Sequence, residues 1–123
     1  MLKLDNDYVK ISLSDGIYYA HYKPIIISLR IAKEIVKERQ KLTLGKKHPF
    51  IVDIKEVKGF KMDAVKFLSG SESMDDVSKL AVIINSKFIV KLYRLYSILA
   101  PPRIPTNLFT TDKEAKEWIE LKK

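Results

Sequence analysis

Two apolar runs, Pro49–Ile54 and Leu80–Ile84, constrain this chain more than any other feature. Neither shows the alternation of a strand with one wet face. Both read as strands buried on both faces, the pattern of parallel strands inside an α/β sheet. The first carries one acid, Asp53, near its end. In open α/β sheets the carboxyl ends of strands are where ligands and partners dock. The segment Phe50–Asp63 runs from such a strand, through a polar loop, into the start of a helix. It is the first place to look for function.

The remaining elements fall around these two strands. Tyr8–Leu13 alternates, with Val9, Ile11 and Leu13 on one face and Tyr8, Lys10 and Ser12 on the other. Ser14-Asp15-Gly16 is a turn signal, and Ile17–Tyr22 is the second strand of a hairpin. Ser28 is placed to cap a helix with Leu29, Ala32, Ile35, Val36 and Arg39 at helical spacing, fraying near Leu42–Gly45. Met62–Leu68 reads as a short helix ended by Ser69-Gly70-Ser71. Met74–Lys79 is expected to be a turn or a short helix. Ser86 is placed to cap a helix over Lys87–Leu99, and the proline-rich stretch Ala100–Pro105 is an extended connector. Leu108-Phe109 ends the last strand. Thr111-x-x-Glu114 then opens a helix as a capping box, with Ala115, Trp118, Ile119 and Leu121 on its buried stripe. Lys122 and Lys123 suit its negative end. The order β-β-α-β-α-β-α-β-α predicts a mixed, mostly parallel sheet of about five strands with an N-terminal hairpin and packed helices.

A chain of 123 residues is one domain on this reading, 1–123. That length buries about two thirds of the unfolded surface, so no metal or disulfide is needed for folding. There is no cysteine, which excludes disulfides, thiol catalysis and thiolate metal sites. Met1–Tyr8 is polar and acidic rather than leader-like. The greasiest stretch, Phe88–Leu99, is too short to span a bilayer and carries Lys91 and Arg94. A cytoplasmic protein without a membrane span is the expectation. The net charge of +8 invites a nucleic-acid partner. The lysines, however, are scattered and interleaved with Glu and Asp, without a dense arginine cluster and aromatic platforms, and no nucleic-acid binding is expected.

Catalytic chemistry finds little support. The only histidines, His21 and His48, fall at a strand end and in a loop, outside any metalloprotease or hydrolase motif. Gly45-Lys46-Lys47 lacks the glycine-rich frame of a phosphate loop. Asp5, Asp7 and Asp15 do not match calcium-loop spacing. Glu72, Asp75 and Asp76 read as solvated caps near a turn. No enzyme, cofactor or metal site is expected. Lys87, Lys91 and Arg94 form one stripe of the Phe88–Leu99 helix, while Phe88, Ile89, Leu92, Tyr93, Leu95, Tyr96 and Leu99 cover most of the rest. Three explanations stay open for so much apolar surface: coverage by neighbouring elements, a dimer or partner interface, or the wall of an apolar pocket.

The order of elements resembles the STAS domain, the fold of anti-sigma-factor antagonists of the SpoIIAA type. More closely, the chain resembles small uncharacterised SpoIIAA-like bacterial proteins, many of them from Bacteroidetes. The residues that carry the resemblance are Ile27-Ser28-Leu29-x-x-Ala32-Lys33, Pro49-x-x-Val52-Asp53, Ala81-Val82-Ile83-Ile84 with Ser86, and Pro105-x-x-Leu108-Phe109-Thr110 followed by Ala115-x-x-Trp118-Ile119. The resemblance implies a non-enzymatic regulatory module that binds a protein partner or a second copy of itself. It implies a phosphorylatable serine at the start of the helix after Asp53, switched by added charge. Here that stretch is Lys61-Met62-Asp63-Ala64, and no Ser or Thr occurs between Asp53 and Ser69. Asp63 is then either a fixed negative charge or a helix N-cap. The expected partner surface comprises Asp53, Lys61, Met62 and Asp63, with Tyr93 and Tyr96 on the apolar helix. The alternative is a carrier or sensor of an apolar small molecule, by analogy with the layered CRAL-TRIO lipid-binding domains.

Overall fold

The computed structural model describes residues 1–85 and 104–121. Eight strands and three helices lie among them: β1 (Leu2–Asp5), β2 (Val9–Ser14), β3 (Ile17–Tyr22), β4 (Ile26–Ile27), α1 (Leu29–Thr43), β5 (His48–Asp53), β6 (Gly59–Phe60), α2 (Met62–Leu68), β7 (Val77–Ile83), β8 (Thr106–Phe109) and α3 (Asp112–Glu120). The main sheet has six strands in the order β1-β2-β3-β5-β7-β8. Its first three strands are antiparallel neighbours, and β3, β5, β7 and β8 run parallel. The fold class is as expected, with one strand more than anticipated in the main sheet and a separate two-stranded sheet, β4-β6.

The hairpin forms because Asp15 and Gly16 take positive φ angles of 52° and 77°. That is the two-residue turn whose twist matches flanking strands, and it pairs Ser14 with Ile17. The extra strand, β1, lies at the sheet edge. The polar composition of Met1–Tyr8 hides it, because an edge strand has little apolar surface to bury. Asn6 turns it into β2 by accepting the backbone N–H groups of Tyr8 and Val9 at 2.8 and 2.9 Å. Lys23 ties the turn from the other side, through Asp5 at 2.6 Å and the carbonyl of Asn6.

The central strands β5 and β7 are covered on both faces, as their unbroken apolar pattern requires. On one face Phe50 and Leu80 pack with Val9, Ile11, Tyr18, Ala32, Ile35 and Ala64, beneath α1 and α2. On the other, Ile51, Ala81 and Ile83 pack with Ile17, Ala115 and Ile119 of α3. Leu121, expected on the buried stripe of α3, is instead exposed at its C-cap, and the buried stripe is Ala115 and Ile119.

Three local expectations differ from the structure. Met74–Lys79 is not one turn: β7 already begins at Val77, which places Lys79 inside the strand. His48 is the first residue of β5 rather than a loop residue, and its ring meets Tyr18 edge-on at 5.0 Å. Asp76 is not a solvated cap but is almost completely buried. Its carboxylate receives Arg39 Nη2 at 2.6 Å, Arg39 Nε at 3.1 Å and the Thr43 hydroxyl at 3.0 Å.

Candidate functional site

The parallel register places His21, Asp53 and Ile83 side by side at the carboxyl ends of β3, β5 and β7. Asp53 ends its strand and shapes the loop after it. One carboxylate oxygen accepts the Lys55 backbone N–H at 2.9 Å, which folds the chain back on itself. The other lies 3.5 Å from His21 Nδ1 and 3.8 Å from Lys55 Nζ. His21 Nε2 meets Glu56 Oε2 at 2.5 Å. Both ring nitrogens are engaged by carboxylates, so the imidazole acts as a cross-link between β3 and the loop. Further bonds hold the loop down. Ile54 N–H donates to the Ile83 carbonyl at 3.0 Å, and Asn85 Nδ2 donates to the Lys55 carbonyl at 2.9 Å.

The second half of the loop is held by a two-stranded parallel sheet that periodicity did not reveal. Ile26 pairs with Gly59 and Ile27 with Phe60. Lys58 and Lys61 donate their backbone N–H groups to the Ile25 and Ile27 carbonyls at 3.0 and 2.9 Å. Because β4 leads into α1 and β6 into α2, this pairing sets the two helix starts next to each other. Strands of two residues leave no alternation to detect.

The two starts differ. Ser28 caps α1 as expected, with its hydroxyl accepting the Ile31 N–H at 3.2 Å. In α2 the N-cap is Lys61, which makes no side-chain capping bond. Asp63 is therefore not the cap. It sits inside the first turn, exposed, where a negative charge suits the helix dipole. Lys61 and Met62 are exposed beside it, and Met62 is one of the few large apolar side chains left open, with 67% of its surface free. Ile26, on the neighbouring strand, is another at 52%.

Of the expected site residues, Asp53 is drawn under the loop as a structural anchor, with 14% of its side chain exposed. Lys61, Met62 and Asp63 form one exposed run. Tyr93 and Tyr96, with Ser86 and the whole stretch expected to form a helix over Lys87–Leu99, lie outside the described residues. The first hydroxyl after Asp53, that of Ser69, is at the opposite end of α2, where it donates to the Val65 carbonyl at 2.8 Å. Among the described residues no group of three or more His, Asp or Glu side chains is arranged to hold a metal ion. None of the described helices is long and apolar enough to cross a membrane.

Comparison with known proteins agrees with this architecture. The chain is similar to the crystal structure of an uncharacterised protein of the DUF3478 family from Shewanella loihica PV-4, described as having a SpoIIAA-like fold. The two share 17% identity with a TM-score of 0.65, over 95% of this chain and 98% of that one. At that identity the likeness is one of fold. No curated protein matches the chain. A family profile described as a domain of unknown function, DUF7793, matches residues 11–123, and the chain belongs to that family.

Proposed function

We propose that this chain is a cytoplasmic, STAS-like regulatory module that acts by binding a protein partner rather than by catalysis. The observation that carries the reading is the paired start of α1 and α2. A dedicated two-stranded sheet holds it, and it presents Lys61, Met62 and Asp63 to solvent at the carboxyl end of the parallel strands. An exposed methionine flanked by opposite charges suits a contact surface with an apolar centre and a polar rim. With no Ser or Thr between Asp53 and Ser69, charge at the start of α2 is permanent, supplied by Asp63. Partner binding would then be constitutive, or controlled from the partner's side.

A tagged chain and its Lys61→Glu/Met62→Glu/Asp63→Lys variant, used to capture partners from the native host, test the reading. Wild type should retain a specific protein that the variant loses, with the melting temperature of the two nearly equal. Equal capture by both chains would misplace the surface. A wild-type chain that retains nothing specific would remove the reading itself.

A further inference from the structure

A second surface lies along the side of α1, away from the helix starts. Lys33, Lys37 and Lys41 form a ladder at i, i+4 and i+8, all exposed. They line an open groove of about 570 Å³ between α1, the Phe67 ring of α2 and Glu72 in the following turn. Phe67 supplies its apolar wall, while Val36 at its base is almost completely buried. Gln40 closes the floor by donating Nε2 to the Glu72 carbonyl at 2.8 Å. Lys41 holds Glu38 at 3.3 Å, and the Lys33 ammonium lies 5.9 Å from the Phe67 ring centre. Lys37 has no ion-pair partner among the described residues.

This groove goes beyond the partner surface proposed above and does not depend on it. We propose that it docks an acidic amphipathic helix of a partner protein. Carboxylates spaced about one turn apart on that helix meet Lys33, Lys37 and Lys41, and its apolar stripe rests on Phe67. The match is geometric as well as electrostatic. Four residues rise about 6 Å on either helix, so a second ladder of i, i+4 and i+8 keeps step with the first. A nucleic-acid strand fits less well. Lys33 already sits near Phe67, the ring a base would stack on.

The test uses the whole chain and a fluorescent helical peptide of about 15 residues, with Glu at i, i+4 and i+8 and Leu on the adjoining stripe. Fluorescence anisotropy should show saturable binding that weakens with salt. Lys33→Glu/Lys37→Glu/Lys41→Glu should weaken it by about tenfold or more, as reversal of several rim charges implies. The control Lys3→Glu/Lys46→Glu/Lys113→Glu, of identical net charge, should change it little. Lys61→Glu/Met62→Glu/Asp63→Lys should also leave it intact, which separates this surface from the other. Equal loss in the groove variant and the charge-matched control would reduce the effect to net charge and overturn the proposal. So would no binding by wild type. Tighter, groove-dependent binding of a single-stranded oligonucleotide would replace the peptide with a nucleic acid and overturn it as well.

Discussion

Arg39 and Asp76, 37 positions apart in sequence, form a two-pronged ion pair with both side chains buried. It ties the last turns of α1 to the segment that enters β7. Arg39 also donates to the Ser73 carbonyl, and its guanidinium lies 5.3 Å from the centre of the Phe50 ring. Each partner lowers the cost of burying the other. Removing one strands a charge in the interior, at about 3–5 kcal/mol. Asp76→Ala and Arg39→Ala should each lower the unfolding free energy by that much, read from urea melts. The paired change Arg39→Met/Asp76→Leu should lose much less than the sum of the two. A sum of single effects in the double variant would show that the residues act independently.

This pair also marks where the sequence stopped being readable. The strands β3, β5 and β7 and the helix over Met62–Leu68 followed from unbroken apolar runs, turn chemistry and caps, which are local signals. Arg39 fell on the buried stripe of α1 by spacing alone, but nothing local identified its partner. Asp76 stands beside Asp75 and Glu72 and looks like one more solvated acid. Its burial comes from a helix more than thirty residues earlier. The pairing of β4 with β6 was hidden for the same reason. Two-residue strands have no periodicity, and only the tertiary fold brings Ile27 to Phe60. The candidate surface was located by a fold rule about strand ends, but its shape depends on that hidden pairing.

The last helix depends on a cap at one end and a borrowed cation at the other. The Thr111 hydroxyl oxygen accepts the Glu114 N–H at 3.2 Å. At the far end no basic residue lies in the final turn of α3, and Lys122 and Lys123 lie outside the described residues. Lys79 of β7 supplies a cation there, donating to the Trp118 carbonyl at 2.7 Å with its ammonium 4.3 Å from the indole centre. Thr111→Ala should cost about 1 kcal/mol, the usual value of such a cap. Lys79→Met keeps the stem but removes the charge, and should cost a similar amount together with a change in tryptophan emission. Trp118 is the only tryptophan, so its fluorescence reports on this clamp alone.

Leu44 ends α1 in the left-handed conformation, with φ 53° and most of its side chain in water. A branched apolar residue gains nothing from either circumstance, and the conformation disfavours side chains other than Asn or Gly by about 1–2 kcal/mol. Leu44→Asn should therefore raise stability by up to about 1 kcal/mol, measured as a higher urea midpoint with an unchanged slope. A loss of stability would show that Leu44 makes a contact that offsets its backbone cost.

Alkali should unfold the protein through its tyrosines. Burial holds the Tyr22 phenol above its ordinary value of 10.0, with Arg39 opposing the shift. Tyr19 is raised as well, by burial and by the charges of Asp112 and Glu120. The folded state thus favours the protonated phenols, and the unfolded state releases those protons first. Their contribution is complete below about pH 10 and lost as pH rises above it. Urea melts from about pH 9 to 11 should show stability falling across that window. Tyr22→Phe should make the fall shallower. An unchanged slope would assign the alkaline loss to other groups.

The cross-link at the loop predicts a local effect with little global cost. His21 and Glu56 are both substantially exposed, so their contact contributes less than about 1 kcal/mol to folding. It does restrain the short segment after Asp53, together with the Asp53-to-Lys55 bond. His21→Ala should leave the melting temperature almost unchanged while speeding hydrogen exchange at the Lys55 and Val57 amides. The Lys58 and Lys61 amides belong to the β4–β6 pairing and should keep their protection. If all four amides exchange faster, the loop and the helix starts move as one unit, and His21 then sets the geometry of the surface carrying Lys61, Met62 and Asp63. If only the first two do, that surface is held by the β4–β6 pairing and its bonds to the Ile25 and Ile27 carbonyls, and partner capture should survive the loss of the imidazole.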